Sequence, residues 1–474
     1  MRKEGAKVNR VFLKRVAAIL LYIFIFAFTA SAAQSVSITK KSDNRAKGEV
    51  KRTGSHSVEY DNPDGTITRE TGLRPFNYRG KDGSWKKIET EIKKSGSGFE
   101  NRKNILKTRF GDGVKEREVS YEGETGSIKW LLKGVSFIGA DTKPVLKYPV
   151  KKIPGRLKNP GRLVYDGVFE GITDEYITGP NYVKNNIIIH SRPDAPVLSN
   201  AVYLKVEGRY STGLLAGLVH KNKKISNAVT RGGFEIKANE NETFAVSPVV
   251  VYEAAGEGLL AKKTAAKTHG EYRISKTISG VTVEIYIDAK WLLAPERKYP
   301  VVIDPTVSLT GPEMEHFTLT YDCDIYSAYP ADNYGANDYM MVGRHATSDI
   351  TARALMRFGE VDSIPATATV KYAYLHMYAS GVLTDSAPED RIDIHMVTRS
   401  WDEGTGTDAT PKTDGASWNN YSGSDAWTTP GGEFEADARS SQKVRGDMFG
   451  RWDKFNITPF VEEWKKARRI TASY

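Results

Sequence analysis

Cysteine is almost absent from this sequence: Cys323 is the only one among 474 residues. A single thiol cannot close an internal disulfide, so the fold has to rest on apolar burial and strand pairing alone. Thiol redox exchange and cysteine-based zinc sites are excluded with it. Long apolar runs are missing too. Residues 16–28 form an uncharged stretch, but it falls short of the ~20 residues that span a bilayer. The common catalytic signatures are also absent, with no H-E-x-x-H, no G-x-S-x-G, no Walker A loop and no dinucleotide fingerprint. Cys323 stands in Tyr-Asp-Cys-Asp-Ile between two carboxylates, which disfavour a thiolate and make it a poor nucleophile. The eight histidines are scattered, apart from the pair His376 and His395. The expectation from these absences is that the protein is not an enzyme.

What is present is an ordinary globular composition, 39% hydrophobic and 27% charged with Gly 42 and Pro 20. It excludes collagen-like, disordered and multi-span membrane classes. The net charge of +10 hides opposite halves. Arg2, Lys3, Lys7, Arg10, Lys14 and Arg15 face one acid, Glu4, and are followed by the apolar stretch and by Ala30-Ser-Ala-Ala33. That order reads as a signal peptide over residues 1–33, so the expected location is secreted, extracellular or cell-surface, with no transmembrane span after cleavage. Residues 33–305 then hold 46 Lys plus Arg against 32 Asp plus Glu, or +14, and residues 306–474 hold 16 against 25, or −9. A change of sign at one point predicts a domain boundary near residue 306 and different partners for the two parts.

Residues 34–57 are polar, basic and aperiodic and are expected to form a flexible lead. Beyond them, Asp64-Gly65 and Asp82-Gly83 separate short β-prone runs, the pattern of tight hairpins. The same pattern runs through residues 128–132, 186–190, 201–206 and 281–287, and it predicts a β-rich region over residues 58–306. Pro300 and Pro305 bracket Val301-Val-Ile, which predicts an edge or exit strand there. In the second half, strict alternation assigns Ala354, Met356, Phe358, Ala373, Leu375, Met377, Ile392, Ile394 and Met396 to the core side. The opposite face then carries Arg353, Arg357, Tyr374, His376, Tyr378, Arg391, Asp393 and His395. Residues 458–469 place Phe460, Val461 and Trp464 at helical spacing. The predicted fold class is all-β, ending in one short helix. Asp402, Glu403 and Asp408, with Asp322, Asp324, Asp332 and Asp338, are hard-oxygen groups beside glycines. They are weak calcium candidates without an EF-hand pattern, and no other cofactor is expected.

Several ordered pieces carry a resemblance. Asp324-Ile-Tyr, Asn333-Tyr-Gly, Met341-Val-Gly, Arg353-Ala-Leu-Met-Arg-Phe, Ala373-Tyr-Leu-His-Met-Tyr, Trp401-Asp-Glu, Gly415-Ala-Ser-Trp-Asn and Phe455-Asn-Ile-Thr-Pro-Phe-Val-Glu-Glu-Trp together resemble a DNRLRE domain over residues 316–474. That resemblance implies a jelly-roll-like β-sandwich of secreted bacterial proteins, classed with carbohydrate-binding modules. A family member continues into a closing strand after the helix, so the last strand is expected to be missing at Tyr474 and the chain to be a fragment. Pro63-Asp-Gly-Thr, Trp85-Lys-Lys-Ile, Tyr165-Asp-Gly-Val-Phe-Glu-Gly-Ile-Thr-Asp-Glu-Tyr and Arg297-Lys-Tyr-Pro-Val-Val-Ile-Asp-Pro-Thr are similar, more loosely, to the corresponding region of large secreted Rhs-like and wall-associated proteins.

The reading of function follows from both halves. The first expectation is a non-catalytic protein that binds a polysaccharide or an anionic cell-envelope polymer through the exposed face of Arg353, Arg357, Tyr374, His376, Tyr378 and His395. Nucleic acid is not an expected partner, because the basic residues are dispersed along the sequence. The alternative is a structural or delivery segment of a large Rhs-like surface protein or toxin, with no sugar binding of its own.

Overall fold

The computed structural model describes residues 49–471, except 73, 194–197, 213–216, 222, 255–265, 279, 311–319, 338, 345–349, 359–363, 366, 380–389, 408–410 and 446–449. The expected signal peptide, most of the basic lead, Asp338 and Asp408 lie outside the described residues. Residues 49–52, expected within the lead, form a strand, Glu49–Arg52, paired with Ser57–Asp61. The protein is all-β, with several sheets and a short C-terminal helix. Among the described residues no helix is long and apolar enough to cross a membrane. The chain divides into two compact units between residues 315 and 316.

In the first unit the Asp-Gly pairs close hairpins, because Gly65 and Gly83 adopt φ of 77° and 76°, conformations that penalise any side chain. Two large antiparallel sheets supply the core. In one, the strand Ser127–Ile138 pairs with Tyr203–Ser211, which pairs in turn with Gly280–Asp288. In the other, Arg162–Phe169, Ile172–Thr178 and Tyr182–Ile189 run side by side and continue through Thr306–Thr310 to Thr243–Val246. Phe110, Phe137, Phe169, Phe244, Leu204 and Ile236 from both sheets pack into one buried cluster. Each such side chain contributes ~1.5 to 3 kcal/mol on burial.

Of the expected edge or exit strand between the two prolines, the edge alternative is corrected. Val301–Asp304 is hydrogen-bonded on both sides, to Tyr182–Ile189 and to Val250–Glu253. Pro300 and Pro305 fall just outside the paired residues, where a missing N–H costs no ladder bond.

Tyr182–Ile189 is buried on both faces, so its polar residues need partners. Lys184 meets Asp304 at 2.8 Å, Asn185 donates to Asp174 at 2.6 Å, and Asn186 donates to Glu175 at 2.9 Å. The Tyr165-to-Tyr176 and Arg297-to-Thr306 motifs are explained by such bonds. Tyr165 donates to the Gly111 carbonyl, Arg297 bonds Glu253 and lies over the Trp291 ring, and Tyr299 donates to the Leu292 carbonyl. At another turn, the buried carboxylate of Glu242 accepts the backbone N–H groups of Glu124, Thr125 and Gly126. That bond set ties the tip of one sheet to the other.

The second unit is built from smaller sheets. Thr320–Tyr326, Thr351–Phe358 and Gly343–Arg344 form one of three strands. Tyr374–Ala379 pairs with Arg451–Asn456, and Asp390–Ile394 pairs with Ser440–Val444. The helix Thr458–Thr471 begins where predicted, with the Asn456 side chain accepting the Thr458 N–H. Phe460 and Val461 are buried. The nine residues expected to form the core are only half-buried. The cores are instead Cys323, Ile325, Leu355, Trp401, Ala416 and Trp427 in one place, and Tyr326, Tyr334 and Met341 in another. Loops contribute most of these residues, and strand alternation cannot report them.

Candidate functional site

The strand Thr351–Phe358 carries Arg353, Leu355 and Arg357 on one face. Leu355 lies opposite Cys323 and is buried with it. Arg353 is half-buried against a packed layer, which corrects the expectation that it faces outward, whereas Arg357 is exposed as expected. The Arg353 guanidinium lies 5.0 Å from the Trp418 ring and 4.8 Å from Phe434, and donates to the Gly431 carbonyl at 2.5 Å. Burial moves its pKa below the ordinary arginine value. Arg357 stacks on Tyr321 at 4.0 Å and reaches toward Trp401 at 5.7 Å. Cation–π contact favours a guanidinium without an opposite charge, which is how Arg353 is accommodated half-buried. His395 also leaves the expected group. It follows the Asp390–Ile394 strand in a different sheet, with Nδ1 2.8 Å from the Glu435 carbonyl and its ring edge-on to Phe434.

Tyr374, His376 and Tyr378 do share one exposed face, while Leu375 and Met377 turn inward. Their cross-strand partners are Asn456, Lys454 and Trp452. Trp452 is 58% exposed, Tyr378 48%, Tyr374 39% and the neighbouring Tyr372 58%. Tyr378 and Trp452 rings meet at 5.3 Å, Tyr372 and Tyr374 stack at 6.3 Å, and the Lys454 ammonium sits 3.7 Å over Tyr374. The result is an open aromatic platform bearing one close cation. Lys454 and Tyr372 were not among the sequence candidates. The period-two alternation around buried Phe455 was the signal that places Trp452 and Lys454 outward.

The acidic candidates serve the fold. Glu403 accepts the Asp322 backbone N–H at 2.9 Å, Asp402 accepts the Ser422 hydroxyl, and Asp324 accepts the Tyr326 hydroxyl and the Met341 N–H. Burial, with Glu403 adding repulsion, raises Asp322 to about 6. Among the described residues no three His, Cys, Asp or Glu side chains are grouped to hold a metal ion. Cys323 is buried and its thiol is pushed up to about 12, mainly by burial. Asn333 of the Asn-Tyr-Gly motif is a buried hub. Its amide donates to the carbonyls of Glu403 and Ala416 and accepts from Gly406 and Gly335. It thereby stitches the Trp401-Asp-Glu and Gly415-Ala-Ser motifs together.

No family model matches the chain. Three curated proteins are similar. The tRNA nuclease WapA of Bacillus subtilis strain 168 is 23% identical over 374 residues, 73% of this chain and 14% of that protein. The tRNA(Glu)-specific nuclease WapA of Bacillus subtilis subsp. natto is 23% identical over 368 residues, again 73% and 14%. The tRNA3(Ser)-specific nuclease WapA of Bacillus spizizenii is 22% identical over 452 residues, 89% and 16%. The chain thus spans 14 to 16% of the length of these relatives. One solved structure, the Slr1438 protein of Synechocystis sp. PCC 6803, covers 58% of this chain and 99% of its own at 8% identity. Its TM-score of 0.18 carries no argument.

These relatives agree with the Rhs-like, wall-associated side of the sequence reading. They overturn the expectation of a protein that is not an enzyme, since each is named as a nuclease. Their names also specify tRNA, a class of partner that the sequence reading set aside.

Proposed function

We propose that this chain is the β-rich part of a WapA-like, Rhs-type protein presented outside the cell, in an architecture whose activity is cleavage of tRNA. The observation that carries the reading is the match to three WapA nucleases, which runs through 73 to 89% of the chain. The motifs shared with Rhs-like proteins are fold-forming residues here, as with Tyr165, Arg297 and Tyr299, which fits a scaffold that builds and displays rather than a catalytic pocket. The test is accessibility on intact producing cells. Protease added outside should remove the epitope of the second unit, and full protection until lysis would contradict surface display.

A second reading is favoured by the aromatic platform. Sugar rings stack on exposed aromatic faces through their C–H surfaces, and Tyr374, Tyr378 and Trp452 offer such faces along one sheet, with Lys454 beside them for a carboxylate. In this reading the second unit, of DNRLRE type, holds the protein to an extended glycan, and Tyr374, His376 and Tyr378 keep their role while Arg353, Arg357 and His395 do not. The domain limits go with it as a proposal: a β-rich region over residues 58–306 and a glycan-binding unit over residues 316–474.

A further inference from the structure

At one corner of the first unit, four strand ends bring together basic residues that are far apart in sequence. Gly217–His220 and Lys223–Lys224 form an edge hairpin with Lys223 opposite His220. Lys221, at φ 49°, makes its turn. The imidazole of His220 bonds the Gly233 carbonyl at 2.9 Å and lies against Gly232, which places the adjoining Arg231 beside the hairpin. Lys267–His269 ends nearby, because the charges of Lys267 and Arg231 both act on His269 and, after partial burial, hold its pKa below the ordinary value. Lys221, Lys223, Lys224 and Arg231 are exposed. Among the described residues none of these four has an ion-pair partner, whereas other basic residues of this unit, such as Lys205 and Arg162, do. Of the nearby acids, Glu271 is turned to Arg273, and Glu235 stands in the same cross-strand row as Lys224, with Val219 between them.

We infer that this corner is a binding surface for an extended phosphodiester polymer that carries no bases. Unpaired, exposed cations on converging loops attract a polyanion by counterion release and need no enclosed pocket. Single-stranded nucleic acid is bound with aromatic side chains stacked on its bases. The exposed aromatic residues among those described are Tyr203, Tyr372, Tyr374, Tyr378, Phe434 and Trp452, and none belongs to this corner. A polymer of phosphate and small polyol units fits the charge without that requirement. The inference takes its setting from the surface-presented reading above, but the contact itself is independent of it.

The experiment uses the full chain and immobilised poly(glycerol phosphate), with neutral dextran as the control matrix. The wild type should be retained on the phosphate polymer only, and retention should fall steeply between about 50 and 200 mM salt. Lys223→Glu with Arg231→Glu should weaken binding by on the order of tenfold or more, whereas Lys223→Arg with Arg231→Lys, which preserves the charges, should retain it. Equal retention of the double Glu variant, or failure of the wild type to bind at low salt, overturns the inference. So does tRNA that displaces the polymer at lower concentration than the polymer itself, since the surface is then one for nucleic acid. Loss of surface display with binding intact would count against the localisation alone.

Discussion

Leu355 and Leu375 show what the sequence could and could not reveal about a single residue. Alternation along residues 374–379 is correct: Leu375 turns in and Tyr374, His376 and Tyr378 turn out. In residues 351–358 the same rule missed Leu355, which is buried while Ala354, Met356 and Phe358 are half-buried and Arg357 is exposed. The charged head of Arg353 marks the outside only if nothing covers it, and the rings that do, Trp418 and Phe434, lie dozens of residues away in loops. Leu355 is 6% exposed in a packed cluster, while Leu375 is half-buried. Leu355→Ala should therefore cost ~2 to 5 kcal/mol through transfer and cavity terms, and Leu375→Ala only ~1 to 2 kcal/mol. Urea unfolding of the two variants checks this, and equal losses would contradict the packing described.

Asp174 makes a second residue-scale prediction. It sits between the two large sheets beside Tyr165, Tyr176 and Asn185, and burial raises its pKa to about 6 despite bonds from Asn185 and Tyr176 and the charge of Arg117. A carboxyl with a raised folded pKa favours the fold fully below its unfolded value of ~3.9, and that contribution is lost as pH rises through about 6. Between pH ~4 and ~7 the stability of Asp174→Asn relative to wild type should improve by about 3 kcal/mol, since each pK unit is ~1.4 kcal/mol. A difference between the two that stays constant over this range would rule the shift out.

Among the elements, the hairpins were legible because Asp-Gly pairs specify their own turns, and the C-terminal helix because its apolar residues keep a helical period. Burial on both faces of Tyr182–Ile189 was not legible, since its Lys-Asn-Asn sequence reads as polar until Asp304, Asp174 and Glu175 are brought to it. The platform was half legible. Its Tyr374–Ala379 strand was assigned, but its partner Arg451–Asn456 was not, although Trp452 provides the most exposed ring on that pair. If the platform stacks sugars, Trp452→Ala with Tyr378→Ala should weaken retention on a uronic-acid polysaccharide by on the order of tenfold, as ~1.4 kcal/mol is one decade. The variant should unfold like wild type, because both rings are at the surface. Arg353→Ala, by contrast, should lower stability, since it strips a stacked and hydrogen-bonded group from a covered face. Unchanged retention by the double variant would leave the sheet face as plain solvated surface.

For the molecule as a whole, the change from +14 to −9 along the chain predicts a boundary near residue 306, but Thr306–Thr310 pairs into the first unit's sheet and the division falls between residues 315 and 316. The two units have separate cores, one held by two large sheets and the other by small sheets and loops. The motifs shared with Rhs-like proteins turn out to be hydrogen-bonded and packed into the fold, and packing motifs are silent about chemistry. The nuclease architecture is a proposal from the similarity to three WapA nucleases, of which this chain spans 14 to 16%. Its most direct test is cleavage of tRNA by the product of this gene purified from the envelope of its own cells. End-labelled bulk tRNA should be cut to discrete fragments by the wild-type product and left intact by a preparation from cells lacking the gene. Intact tRNA in both would contradict the proposed nuclease architecture.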